Sequence, residues 1–175
     1  MLLLSKSLLN TPVLSLQTGG QLAVTTRLIL NPNNLKIEGF YCTDRFSKQE
    51  IVLLAQEIRD MVPRGFVVDD NESLSSVEDL VRLKDIVALQ FELMGKLVVT
   101  VSKNRLGKID DYAADDATLF IQKLYVGQNL LKSFSGGQLS IDRSNVVEIT
   151  NRKIVVEDIL KPTKNGLPVQ VSPMA

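Results

Sequence analysis

An internal repeat constrains the fold of this chain more than any other feature of its sequence. An offset of 84 carries Leu22, Leu28, Leu30, Asn31, Leu35, Ile37 and Phe40 onto Leu106, Tyr112, Ala114, Asp115, Leu119, Ile121 and Leu124. Apolar residues fall on apolar ones, and the polar position stays polar. An offset of 88 then carries Ile58, Met61, Phe66, Val67, Val68, Asp69 and Asp70 onto Val146, Ile149, Ile154, Val155, Val156, Glu157 and Asp158. Two matched blocks in the same order point to a duplicated structural unit rather than to shared composition. The change of offset puts four extra residues in the second repeat, between Leu124 and Val146. Gly127 to Gln138 is the place for them, with Ser135-Gly136-Gly137 as a hairpin tip.

Each repeat reads mainly as strands. Leu22 to Leu30 follows Gly19-Gly20 and stops at Asn31-Pro32-Asn33-Asn34, a run of turn residues. Leu35 to Phe40 alternates apolar and polar residues, as a strand with one buried face does. In the second repeat Val98 to Val101 leads through the turn Ser102 to Arg105 into Leu106 to Ala114. The turn Asp115 to Ala117 and the strand Leu119 to Val126 follow. Hairpins Ile58 to Val68 and Val146 to Val156 close the repeats, turning at Pro63-Arg64-Gly65 and Thr150-Asn151-Arg152. Between the repeats, Ser75 and Glu78 have capping-box spacing. They predict a helix from about Ser76 to Ala88 that bridges the two units on a broad apolar face. The organisation expected is a first repeat over 1–74, a bridging helix over 75–90, a second repeat over 91–160 and a mobile tail over 161–175 carrying Pro162, Pro168 and Pro173.

Composition narrows the chemistry. Aromatic residues make up 5% of the chain and Trp is absent, so the core is built from Leu, Val and Ile. Twenty basic residues balance 20 acidic ones, without the basic excess of a phosphate-gripping protein. There is no His, which removes His-based triads and His-ligated zinc. Cys42 is the single cysteine, so no CxxC pair and no internal disulfide exists. Neither a signal-peptide pattern nor a run of about 18–20 apolar residues appears. The expectation is a soluble, cytoplasmic protein without membrane insertion.

The clusters that invite a chemical reading each have a plainer one. Asp110, Asp111, Asp115 and Asp116 are dense, but alternation splits the first two and the others are turn residues; no calcium-loop spacing is present. Ser133 to Gly137 lacks the Gly-Lys-Ser/Thr ending of a phosphate loop. Cys42 has no base to activate it. The expectation is therefore no catalytic residue, no metal and no cofactor.

In the second repeat Leu93-Met94-Gly95-Lys96-Leu97-Val98-Val99, then Leu106-Gly107-Lys108-Ile109-Asp110-Asp111, then Ile154-Val155-Val156-Glu157-Asp158 form an ordered pattern. It resembles the PRC-barrel family, which includes the cytoplasmic domain of the photosynthetic reaction-centre H subunit and the C-terminal domain of the ribosome-maturation factor RimM. The first repeat keeps Pro12-Val13 and lacks the Gly-Lys pair. The resemblance implies a mainly β chain of two tandem small β-barrels joined by a short helix. It also implies a docking module for proteins or ribonucleoprotein, with no shared catalytic residue to transfer. The expected function is a non-catalytic adaptor, about a pseudo-twofold, with a protein partner. RNA or a ribosomal particle is the alternative partner, and edge strands permit a homodimer. Phe46, Tyr125, Lys132 and Phe134 are the expected partner-binding surface. Lys96, Lys103, Arg105 and Lys108, around one turn, are the expected patch for an anionic partner.

Overall fold

The computed structural model describes residues 1–127 and 138–158. The first half contains β1 (Leu2–Leu4), β2 (Pro12–Ser15), β3 (Gln21–Asn31), β4 (Lys36–Asp44), β5 (Glu50–Leu54), β6 (Asp60–Val62), β7 (Gly65–Val68) and β8 (Leu74–Ser76). After a short α1 (Lys84–Ala88), the second half adds β9 (Leu97–Thr100), β10 (Arg105–Asp115), β11 (Ile121–Gly127), β12 (Leu139–Asp142), β13 (Val146–Ile149) and β14 (Lys153–Val156).

These strands form two sheets. One runs β6-β7-β2-β3-β4-β5-β8, and the other runs β12-β11-β10-β9-β14-β13 with β1 added to β10. The protein is mainly β, as its sequence predicts. Each sheet is an open path of hydrogen-bonded neighbours. Among the described residues, hydrogen bonding does not close either one into the barrel that the family resemblance implies.

The register of pairing follows the repeat strand by strand. Val13 lies opposite Ala23 and, on its other side, beside Phe66; Val98 lies opposite Gly107 and beside Ile154. Phe40 pairs with Leu53, and Leu124 with Ile141. The irregularities repeat too. The β3–β4 ladder slips between Thr25 and Arg27 and again between Ile29 and Leu30; the β10–β11 ladder slips between Ile109 and Asp111 and again between Ala113 and Ala114. A bulge inserts a residue and re-aims the strand, so conserving its place conserves the bend of the sheet. The offset of 84 holds through β4 and β11, and the offset of 88 begins at β5 and β12. The four extra residues therefore fall between Gly127 and Leu139, as the sequence predicts. The hairpin tip itself, with Lys132 and Phe134, lies outside the described residues, and so does the tail.

Turn chemistry explains where the long strands stop. Asn31 Oδ1 accepts from the Asn33 N–H at 3.0 Å, and Asn34 Oδ1 from the Lys36 N–H at 2.9 Å. In the second repeat Asp115 Oδ1 takes the Thr118 N–H and hydroxyl at 2.9 and 2.8 Å. Both turns end on a leucine in the left-handed region, Leu35 at φ 56° and Leu119 at φ 57°. Non-glycine residues rarely adopt that region, and here their burial holds them in it.

Those two leucines sit where the repeats meet. The Ile37 N–H donates to the Leu119 carbonyl, and the Ile121 N–H to the Leu35 carbonyl, both at 2.9 Å. The two bonds exchange under the offset of 84, the signature of a pseudo-twofold axis. Buried side chains from both repeats join in one core, including Phe40, Phe66, Ile37, Tyr112, Ile121 and Leu124. Phe40 and Phe66 pack with ring centroids 5.0 Å apart.

The bridge differs from its prediction. Helical geometry is confined to the five residues of α1 and a 3-10 turn at Val77–Asp79. Ser75 does not cap a helix, because Leu74–Ser76 pairs with the edge of β5. Satisfying an open sheet edge outweighs a weak local propensity. The capping box forms earlier, where Asp70 caps Asn71–Ser73.

Candidate functional site

The length of β3 creates a cavity along its edge. This strand has 11 residues, and β2, which has four, pairs only with its first part, between Gln21 and Val24. Beyond it, the Asn10 N–H reaches the Thr25 carbonyl and the Thr25 N–H reaches the Thr11 carbonyl. From Thr26 to Leu30, no strand pairs with the β2 side of β3 among the described residues. A cavity of about 530 Å³ borders all five of these residues. Successive strand residues point to opposite faces. A space that borders five in a row therefore lies along the strand edge.

The cavity walls are largely apolar. Val77, Ile86 and Val87 come from the bridge, Phe91 and Met94 from the start of the second repeat, and Tyr112 from β10. The bridge is anchored on the outer face of the first sheet, where Ile29, Val52 and Leu80 are buried with Tyr41, Leu54 and Ile86 packed around them. At the mouth, Arg27 meets Glu50 at 2.8 Å through one guanidinium nitrogen and stacks 4.3 Å from the Tyr41 ring centroid. Both members of the ion pair are about half exposed, which holds its contribution to roughly 0–1 kcal/mol. Deeper in, Tyr112 is 1% exposed, and its hydroxyl makes no hydrogen bond among the described residues. Burial, reinforced by the Asp111 charge, raises its pKa well above the ordinary phenol value. The phenol stays protonated and able to donate.

The expected surfaces are dispersed. Phe46 stands in the turn after β4, 77% exposed, with Arg45 5.7 Å from its ring centroid. Tyr125 is half-buried within β11, opposite Asp111 and Ser140, on the other half of the molecule. Lys132 and Phe134 lie outside the described residues. Lys103 is at the tip of the β9–β10 hairpin with φ 66°; Arg105 and Lys108 follow on β10, and all three are exposed. None of the three makes an ion pair among the described residues. Lys96 is set apart from them. Its ammonium donates to the Asn151 carbonyl at 2.7 Å and lies 4.5 Å from the Phe91 ring centroid. Burial lowers its pKa, against a smaller opposing pull from Glu92.

Cys42 is fully buried, and burial pushes its thiol up to about 12. Asp115 is held below the usual carboxylate range by Thr118, and serves its turn. Among the described residues, no group of three or more His, Cys, Asp or Glu side chains is placed to hold a metal ion. No helix of the described residues is long and apolar enough to cross a membrane. The sequence signals miss the β3-edge cavity because no motif marks it. The one usable hint is that β3 and β10 are much longer than the strands before them.

No family model matches this chain, and no curated protein is significantly similar to it.

Proposed function

We propose that this chain is a non-catalytic binding protein of tandem PRC-barrel type that holds a polypeptide partner at the β3-edge cavity. The observation that carries the reading is a cavity of about 530 Å³ with largely apolar walls, bordered by a strand edge and a buried Tyr112 hydroxyl that have no partner among the described residues. Such a site suits an apolar segment that supplies backbone hydrogen-bonding groups of its own. Arg27 and Glu50 at its mouth engage each other, an arrangement that orients a partner and lacks a nucleophile with its base. The adaptor role rests on the family resemblance together with this site, and the barrel assignment on the resemblance alone.

Site-specific photocrosslinking in cells tests the reading. A benzophenone amino acid at Gln90 or Met94, both exposed beside the cavity, is expected to give discrete protein adducts. The same group at exposed Glu72, which does not line the cavity, is expected to give none. Equal adducts from all three positions, or none from any, contradict the reading.

The three exposed cations of the β9–β10 hairpin, without an ion-pair partner among the described residues, favour a second, anionic partner, with RNA or a ribosomal particle as the candidate. Binding there falls steeply with salt and is lost in a Lys103→Glu, Arg105→Glu, Lys108→Glu variant. Salt-insensitive sedimentation with ribosomal particles, or no sedimentation at low salt, rules it out.

A further inference from the structure

The pseudo-twofold relates the open β3 edge to a seat that is already filled. In the second repeat, β1 pairs antiparallel with the end of β10: Leu2 opposite Asp115, Leu3 opposite Ala114 and Leu4 opposite Ala113. The seat is locked at both ends. The Asp116 N–H donates to the Met1 carbonyl at 3.0 Å, and the Ser5 hydroxyl donates to the Asp111 carboxylate at 2.6 Å.

The symmetry-related segment should come from just before the second repeat. An offset of 85 relates the chain segments that lead into the two repeats. The Asn10 N–H bonds the Thr25 carbonyl, as the Gly95 N–H bonds the Ile109 carbonyl. The same offset carries Met1-Leu2-Leu3-Leu4 onto Ile86-Val87-Ala88-Leu89, an equally apolar run. That run does not form a strand on β3. It lies in and after α1, and Val87 forms part of the cavity wall. Two substitutions account for this. Pro32 stands where Asp116 stands and has no N–H to give. Arg27 stands where Asp111 stands, so the anchor for the arm's fifth residue is a donor instead of an acceptor.

We infer that the edge of β3 from Arg27 to Asn31 binds an extended peptide as an added antiparallel strand, with three apolar residues followed by an acidic one. The apolar part is fixed by the occupant of the related seat. The acidic residue is fixed by the reversed anchor. Arg27 reaches Glu50 through one nitrogen only, and the guanidinium has five N–H groups to offer. This inference deepens the proposed function and rests on it.

The test uses the full chain and fluorescein-labelled peptides read by anisotropy. The parent peptide is the chain's own residues 1–7, Met-Leu-Leu-Leu-Ser-Lys-Ser. Two relatives carry Ser5→Glu and Ser5→Lys, and a second pair carries N-methyl groups on alternate backbone nitrogens. The glutamate peptide is expected to bind about tenfold tighter than the lysine peptide, the scale of one charge-assisted contact. One of the two N-methyl patterns, the one that blocks the edge-facing donors, is expected to weaken binding about tenfold or more. Arg27→Glu should invert the preference; Arg27→Gln, which keeps the test decisive where the charge reversal disturbs folding, should flatten it. No saturable binding, equal affinity for all three fifth residues, or indifference to both N-methyl patterns overturns the inference. If Met94 still gives its crosslinks while these peptides fail, the strand-addition inference falls and the polypeptide-binding reading stands. If both fail, the reading falls with it.

Discussion

The two repeats share the register slips of their long hairpins, yet their long strands end in different company. At the end of β10 a strand from the other repeat, β1, is seated and locked by Asp111. At the end of β3 a cavity opens instead, lined by Arg27 and a short helix. The long hairpins around the two seats slip at corresponding places. The two seats differ at Pro32 and Arg27, which stand where the second repeat has Asp116 and Asp111. The β9–β10 hairpin differs in the same way: Lys103, Arg105 and Lys108 stand where the first repeat has Gly19, Gln21 and Val24.

The largest expected effect comes from the shared core. Phe40→Ala should cost about 3–5 kcal/mol and its counterpart Leu124→Ala about 2–5 kcal/mol. Both should unfold the two repeats together, since one continuous core joins them. Denaturant titration followed by backbone NMR checks this, and a repeat that survives the melting of its twin would break the picture of a shared core. The next effect is at Gly107, with φ 144°, where an added Cβ would strike the Gly127 carbonyl oxygen. Gly107→Ala should cost about 1–3 kcal/mol by chemical denaturation. The first repeat carries Ala23 at that place, so a neutral result would show that the two hairpins accept the same side chain there.

Smaller still is the seat itself. Asp111→Ala removes the Ser5 hydroxyl's acceptor and should cost about 1–2 kcal/mol. Arg27→Ala, at the mirrored position, removes an exposed pair and should cost less than about 1 kcal/mol. Equal losses would contradict a filled seat beside an open one. The smallest effect is expected at Cys42, whose counterpart is Val126; both are fully buried. Cys42→Val should change stability by less than about 1 kcal/mol. Because burial raises the thiol to about 12, it stays protonated at pH 8, and a thiol reagent should label it only after unfolding. Labelling of the native protein at pH 8 would place Cys42 outside the core.

Much of the scaffold is legible in the sequence because it depends on period and turn chemistry. Alternation marks β4, the Asn31-Pro32-Asn33-Asn34 run marks the end of β3, and the shift of offset locates the extra residues before β12. The bridge is not legible. Ser75 and Glu78 carry a helix signal, but Leu74–Ser76 is claimed by the unpaired edge of β5, a demand that appears only when the sheet exists. The cavity is hidden for the same reason. It arises where β3 outruns β2 and where Tyr112 of the other repeat lines the same space as Leu28, 84 positions away. The basic cluster is partly legible. Lys103, Arg105 and Lys108 are exposed, whereas Lys96 is turned to the Asn151 carbonyl and Phe91 by contacts no spacing rule reveals.

Residue-resolved amide exchange along β3 and β10 tests the contrast between the filled and the open seat most directly. Slow exchange is expected throughout Ala113–Asp116, where β1 and β11 hold both edges. Between Arg27 and Leu30 an alternation is expected, slow where the amide faces β4 and fast where it faces the cavity. Uniform protection along both strands would mean that the β3 seat is already filled, and would contradict the open edge on which the proposed binding function stands.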